Sequence, residues 1–177
     1  MKIALYCGAR LGNDPTHAEL ARSVARTLAQ RGIGIVYGGG NIGLMGEIAE
    51  AAIQAGGEII GIIPGSMVEE ELAHHGITRL EIVSTMHQRK SRIEELSDAF
   101  IALPGGYGTL DELFEIITWR QLKLHDKPIG LLNHQGFYDQ LVGFIDKACQ
   151  EGFVPVKNRD LLIVANDLET LLKKMLL

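Results

Sequence analysis

The chain has 177 residues, 46% of them hydrophobic and 22% charged, and carries a net charge of −5. This length predicts one domain, residues 1–177, with a sizeable core, and the mild acidity leaves no electrostatic footprint for nucleic acid. No apolar run reaches membrane-spanning length, and the first run meets Gly8 and Arg10 too soon for a signal peptide, so a cytoplasmic protein without a membrane partner is expected.

Lys2 to Cys7 is continuously apolar and reads as a buried strand. Asp14-Pro15 starts a helix whose face is Leu20, Val24, Ala25 and Leu28. A second strand covers 32–38, a helix Leu44 to Ala55, and a third strand 58–64. Residues 65–79 show no clear period and read as a loop or short helix. A fourth strand covers 80–84, a helix Met86 to Ser97, and a fifth strand 99–103. A helix from about Thr109 to Leu122, a sixth strand at 127–133, a helix from Phe137 to Gln150, a strand at 161–165 and a helix from Leu168 to Met175 complete the chain. Continuously apolar strands separated by helices indicate an α/β, doubly wound, mostly parallel sheet with helices on both faces. In such a sheet a ligand sits beyond the carboxyl ends of the strands.

Four chemically loaded stretches follow strands: 7–10 (CGAR), 37–46 (YGGGNIGLMG), 84–90 (STMHQRK) and 103–109 (LPGGYGT). In the second, Gly38, Gly40 and Gly43 match the dinucleotide spacing G-x-G-x-x-G. Its acid, Glu58, falls at the amino end of the next strand, the wrong edge for a ribose. Either these glycines only make tight turns, or backbone here meets a mononucleotide-sized ligand, with Gly39, Asn41 and Met45 as candidate contacts.

In the fourth stretch Gly105, Gly106, Tyr107 and Gly108 precede a helix, and free amides plus the helix dipole make an anion site. Thr109 and Glu112 also fit a capping box. Glu115 lies three residues after Glu112, on the same expected helix face. In the third stretch Met86, Arg89, Ile93 and Leu96 form one apolar stripe. Arg89 is then a cation set against the sheet. It either snorkels or needs an anion: in the second case an unpaired cation there is costly and its removal is expected to keep or raise stability, whereas snorkelling predicts modest destabilisation. Lys90 is adjacent and expected to reach the same pocket from its rim.

Neither Cys7 nor Cys149 sits in a Cys–His constellation, the six histidines show no ligand spacing, and no lysine is marked as a Schiff-base partner. No metal and no cofactor are expected. An anion cradle, a buried cation and paired carboxylates suit cleavage of a nucleotide at its sugar, where a carboxylate stabilises the sugar cation and activates water.

These motifs resemble the LONELY GUY (LOG) family of cytokinin-activating enzymes, long mislabelled lysine decarboxylase-like. The family's P-G-G-x-G-T-x-x-E stands at Pro104 to Glu112 and its M-H-x-R-K at Met86 to Lys90, both complete; the match runs from about Cys7 to Phe153. The resemblance implies a Rossmann-like homodimer that hydrolyses cytokinin riboside 5′-monophosphates, and in many bacterial members AMP, to free base and ribose 5-phosphate, without a cofactor. It implies Arg89 and Glu112 as catalytic pair, and Lys90, Gly105 to Thr109 and Thr118 as nucleotide-binding residues, with Glu71 joining them. Glu115 is added as a catalytic candidate from its helix spacing. Between Ser66 and Arg79 the sequence departs from plant members. A nucleotide or molybdenum-cofactor carrier on the same scaffold is the non-catalytic alternative.

Overall fold

The computed structural model describes residues 1–68 and 73–177. The described elements are β1 (Lys2–Tyr6), α1 (Thr16–Gln30), β2 (Gly34–Tyr37), α2 (Gly43–Gln54), β3 (Ile59–Pro64), β4 (Arg79–Val83), α3 (Met86–Leu96), β5 (Ala99–Ala102), α4 (Tyr107–Gln121), β6 (Ile129–Leu132), α5 (Asp139–Gln150), α6 (Val156–Arg159), β7 (Leu162–Ala165) and α7 (Leu168–Lys174). The strands form one seven-stranded sheet in the order β4-β3-β2-β1-β5-β6-β7. Every pairing is parallel.

Successive residues of a strand point to opposite faces, and both faces are covered. Ile3, Leu5 and Cys7 pack with α1, α2 and α7; Ala4 and Tyr6 pack with α3, α4 and α5. That is why β1, β2, β3, β5 and β6 read as unbroken apolar runs. Each fully buried Ile or Leu contributes about 1.5–3 kcal/mol relative to exposure. β4 lies at the sheet edge and is only partly buried. At the head of α1, Pro15 has helical angles (φ −61°, ψ −20°) and the Asp14 carboxylate accepts from the Thr16 N–H at 2.9 Å, so Asp14-Pro15 does start this helix.

Two helix starts differ from the sequence expectation by two residues, and one short helix was not expected. α4 begins at Tyr107, with Gly106 as its N-cap and Leu110 N–H bonded to the Gly106 carbonyl at 3.1 Å. Thr109 is therefore inside the first turn, and the capping box does not form. α5 begins at Asp139, after a 3₁₀ turn at His134–Gly136 in which Gln135 and Gly136 take φ of 52° and 75°. The Asn133 side chain closes this turn, donating to Asp139 and accepting from the Tyr138 N–H, both at 2.7 Å. Pro155 precedes a four-residue helix, α6, that periodicity did not reveal. Within 65–79, a 3₁₀ turn covers Gly65–Met67 and an antiparallel bridge joins Gly40 to Ala73. Glu71 lies outside the described residues.

β1 lies next to β5, and the chain leaves β1 toward α1 on one face of the sheet and β5 toward α4 on the other. Their following loops diverge and open a crevice at the carboxyl edge, the topological switch point of a doubly wound sheet.

Candidate active site

The crevice is a cavity of about 660 Å³. One wall is the loop Cys7–Asp14 with His17 behind it; the floor is Pro104–Thr109; the other wall is Gly38, Leu44, Met45, Arg89 and Glu112. Main chain packs tightly around it. The Gly8 N–H donates to the Pro104 carbonyl at 3.1 Å, and the Leu44 N–H to the Gly8 carbonyl at 3.2 Å. Gly43 has φ 60°, and a Cβ there would lie 2.3 Å from the Ala9 carbonyl. Close backbone approach accounts for much of the 37–46 glycine run. Glu58, the acid of the apparent dinucleotide spacing, sits before β3 and 3.8 Å from Lys2, at the opposite edge of the sheet.

Arg89 reaches the cavity from the first turn of α3 and is 5% exposed. Thr85 caps that helix, accepting from the Gln88 N–H at 3.1 Å. The Arg89 Nε donates to the Ile62 carbonyl at 3.0 Å, and Nη2 to the Gly38 carbonyl at 2.8 Å. The cation does lie against the sheet, but it is not the uncompensated charge expected from sequence, because the carbonyls of Gly38, just after β2, and of Ile62, within β3, receive it. Of its stripe, Ile93 is buried and Leu96 partly so, whereas Met86 is 38% exposed. A Cβ on Gly38 would fall 2.1 Å from Arg89 Nη2, so glycine at 38 makes room for the guanidinium.

Glu112 faces the same cavity from α4. Beneath that helix, burial first and then the carboxylates of Glu112, Glu115 and Glu94 push the Tyr6 phenol well above its ordinary pKa, so the floor under these acids stays neutral. The amides of Tyr107, Gly108 and Thr109 come before Leu110, the first N–H with an intrahelical acceptor, and no side chain caps them. They border the cavity at the positive end of a 15-residue helix. Tyr107 itself is 94% exposed at the rim. Thr109 is buried, its hydroxyl packed so close to Gly105 that a Cβ there would lie 2.1 Å from it.

Lys90 does not reach this cavity. Its ammonium lies 2.7 Å from Asp111 and 3.4 Å from Glu115. Desolvation works to lower its pKa, and the two carboxylates outweigh it and hold the ammonium above its ordinary value. Glu115 thus parts from Glu112: one helix step of three residues leaves it facing Lys90 in a second, shallow hollow with Leu110, Phe114, Thr118 and Trp119. The Thr118 hydroxyl donates back to the Phe114 carbonyl at 2.7 Å. Of the candidates in the glycine run, Met45 lines the main cavity, Gly39 is buried beneath it and Asn41 is exposed outside it. The loop after β1 was legible as a strand-following stretch, but His17 and Phe137 carried no signal. They arrive from α1 and from the turn after β6 and stack edge to face at 5.3 Å. Among the described residues no cluster of three His, Cys, Asp or Glu could hold a metal, and no helix is long and apolar enough to cross a membrane.

A family described as "possible lysine decarboxylase" matches residues 45–175. The chain is 48% identical over 172 residues to the cytokinin riboside 5′-monophosphate phosphoribohydrolase LOG2 of Arabidopsis thaliana, covering 97% of this chain and 81% of that protein. It belongs to the LOG family. LOG1 of the same plant is 45% identical over 98% of this chain and 82% of its own length. The probable cytokinin riboside 5′-monophosphate phosphoribohydrolase LOGL1 of Oryza sativa subsp. japonica is 44% identical over 98% and 78%. Among solved structures, the molybdenum cofactor binding protein of Rippkaea orientalis superposes with a TM-score of 0.74 at 22% identity, over 99% of this chain and 97% of that one. The molybdenum cofactor carrier protein of Chlamydomonas reinhardtii gives 0.74 at 21%, over the same shares. Those two likenesses establish the Rossmann-like fold and nothing about cargo; the family's own activity comes from the LOG relatives.

Proposed function

We propose that this chain, acting as one nucleotide-binding domain over residues 1–177, hydrolyses the N-glycosidic bond of purine or cytokinin nucleoside 5′-monophosphates to free base and ribose 5-phosphate. The observation that carries the reading is the cavity at the switch point, where an uncapped helix N-terminus, the Arg89 guanidinium and the Glu112 carboxylate share one wall and floor. The amides at 107–109 take the phosphate, with Gly105, Gly106 and Thr109 shaping the cradle. Glu112 faces the sugar. As the C1′–N bond breaks, its electron pair leaves with the base, which takes up a proton, and positive charge builds on the ring. Glu112 stabilises that charge and removes a proton from the water whose oxygen bonds to C1′. Arg89, locked by two carbonyls, orients the nucleotide against Glu112 with a fixed planar fork. Lys90, Glu115 and Thr118 enter through the outer face of α4, where Lys90 ties that face to α3.

A Schiff-base decarboxylase needs a lysine amine in its cavity, and among the described residues no lysine lines this one. The α4 end also supports a homodimer. Leu122 and Leu124 are 61% and 68% exposed just past the helix and Phe114 is 38% exposed on it, and exposed apolar side chains grouped on one element suit a protein contact. Sedimentation at micromolar concentration should give a dimer. The test of activity is incubation with AMP and with an N6-alkylated AMP, followed by chromatography of the free base and assay of ribose 5-phosphate. Nucleotide binding with no base released would overturn the hydrolase reading in favour of a carrier.

A further inference from the structure

We propose that His74 is a positioning residue for Arg89, fixing the glycine turn whose carbonyl holds the guanidinium; the proposal rests on the hydrolase reading above. The 65–79 segment has no readable period, and Glu71 is its one residue that the resemblance gave a role. Its described second half lies across the turn after β2. The Gly39 carbonyl accepts from the His74 N–H at 3.1 Å, and Gly40 pairs with Ala73. Gly39 has φ 81°, and on its other side a Cβ would sit 3.2 Å from Ile63 on β3. The turn is therefore held between β3 and residues 73–74. Its first residue, Gly38, supplies the 2.8 Å contact to Arg89 Nη2.

The imidazole makes this attachment rigid. His74 is 6% exposed, and both ring nitrogens are engaged. Nδ1 accepts from the Gly76 N–H at 3.2 Å, which leaves the proton on Nε2, 3.1 Å from the Glu50 carboxylate on α2. One end of the ring thus closes its own segment into a turn and the other ties it to α2, the helix that brings Leu44 and Met45 to the cavity. With both nitrogens engaged, the ring acts on substrate only through the backbone it fixes. Removing it deletes both contacts, frees the segment from α2, and loosens the support on Gly39. A displacement of about 1 Å at a positioning group costs as much as 100-fold in rate.

The test uses the full chain with His74→Ala, His74→Asn and, as control, the exposed neighbour His75→Ala. Turnover of AMP is measured beside the solvent exchange of the Arg89 Nε–H by ¹⁵N NMR, which reads the Ile62 contact without any chemistry. His74→Ala should lower kcat roughly tenfold with KM within about twofold, and speed the Arg89 Nε–H exchange. His74→Asn, whose side-chain oxygen stands near the Nδ1 position, should recover much of both; His75→Ala should match wild type. If His74→Ala fails to fold, Glu50→Ala removes the partner of Nε2 from an exposed side chain and should move both readouts in the same direction. Wild-type kcat and wild-type exchange in His74→Ala, or a loss confined to melting temperature, would overturn the proposal. A wild-type chain that releases no base overturns the hydrolase reading instead, and the exchange rate alone then decides the role of His74.

Discussion

Replacing Arg89 with alanine separates two physical accounts of the same residue. If the guanidinium were an uncompensated buried charge, its loss would keep or raise stability. The structure instead gives it two main-chain acceptors, Ile62 at 3.0 Å and Gly38 at 2.8 Å, in a side chain 5% exposed. Hydrogen bonds from a charged donor are worth about 1.5–3 kcal/mol each. Water entering the emptied space recovers part of that, while loss of the buried stem adds to it, so a net cost of about 2–4 kcal/mol is expected. For a chain of this size each kcal/mol moves the melting temperature by about 2–4 °C, giving a fall of roughly 5–15 °C. Arg89→Lys should recover little, since one ammonium cannot serve two carbonyls in the planar geometry. Thermal melting by circular dichroism, with adenine release from AMP on the same samples, is the assay. Arg89→Ala melting within about 1 °C of wild type would refute the stability reasoning, and undiminished adenine release would remove Arg89 from the chemistry.

Glu112→Gln should fold normally and lose about 100-fold or more in turnover, measured as base release under saturating AMP, because the amide cannot take a proton from water. Glu115→Gln should cost less than about tenfold, since Glu115 faces Lys90; a dead Glu115→Gln beside an active Glu112→Gln would reverse the roles. Gly43→Ala should destabilise by about 2–4 kcal/mol in urea unfolding, because it forces φ 60° on a residue with a Cβ and drives that atom to 2.3 Å from the Ala9 backbone. The raised pKa of Lys90 adds stability that is fully present below the ordinary lysine value of 10.5 and is lost as pH rises through the folded-state value. Lys90→Met should flatten that alkaline limb in melting curves taken from pH 8 to 12, and an unchanged limb would show the ion pair to be irrelevant to it.

β1, β2, β3, β5 and β6 were legible because each is buried on both faces, so hydrophobicity runs along them without a gap, even where their ends were read a residue or two long. Helix starts were harder. Thr109 and Glu112 satisfy a capping-box pattern, yet the helix begins at Tyr107, two residues ahead of the expected start, because Gly106, at φ −106° and ψ −146°, is the N-cap and offers its carbonyl to Leu110. The pattern is necessary for a capping box and says nothing about which backbone carbonyl first turns inward. The α5 start failed for a similar reason: the left-handed Gln135 and Gly136 are local backbone facts that an apolar face does not report.

For the site, sequence could identify which loops follow strands but not what meets across them. Helical spacing put Met86, Arg89, Ile93 and Leu96 on one face, and yet Met86 is exposed while Arg89 is buried. Periodicity assigns an angle around a helix; it does not say where the sheet beneath it ends. The first turn of α3 stands near the carboxyl edge of the sheet, so Met86 lies exposed beyond the core and Arg89 meets the carbonyls of Gly38 and Ile62. Those acceptors belong to Gly38 and Ile62, one without a side chain and one whose side chain is buried in the core, so neither announces itself as a partner for a cation. His74 was hidden in the same way, since its main-chain contact to Gly39 has no residue signature and Glu50, on α2, is 24 positions away. The consequence is that one side chain, Arg89, both bonds the main chain at Gly38 and Ile62 and lines the cavity. A substitution there must change both melting temperature and turnover, whereas Glu112, whose carboxylate faces the cavity, should change turnover with the fold intact.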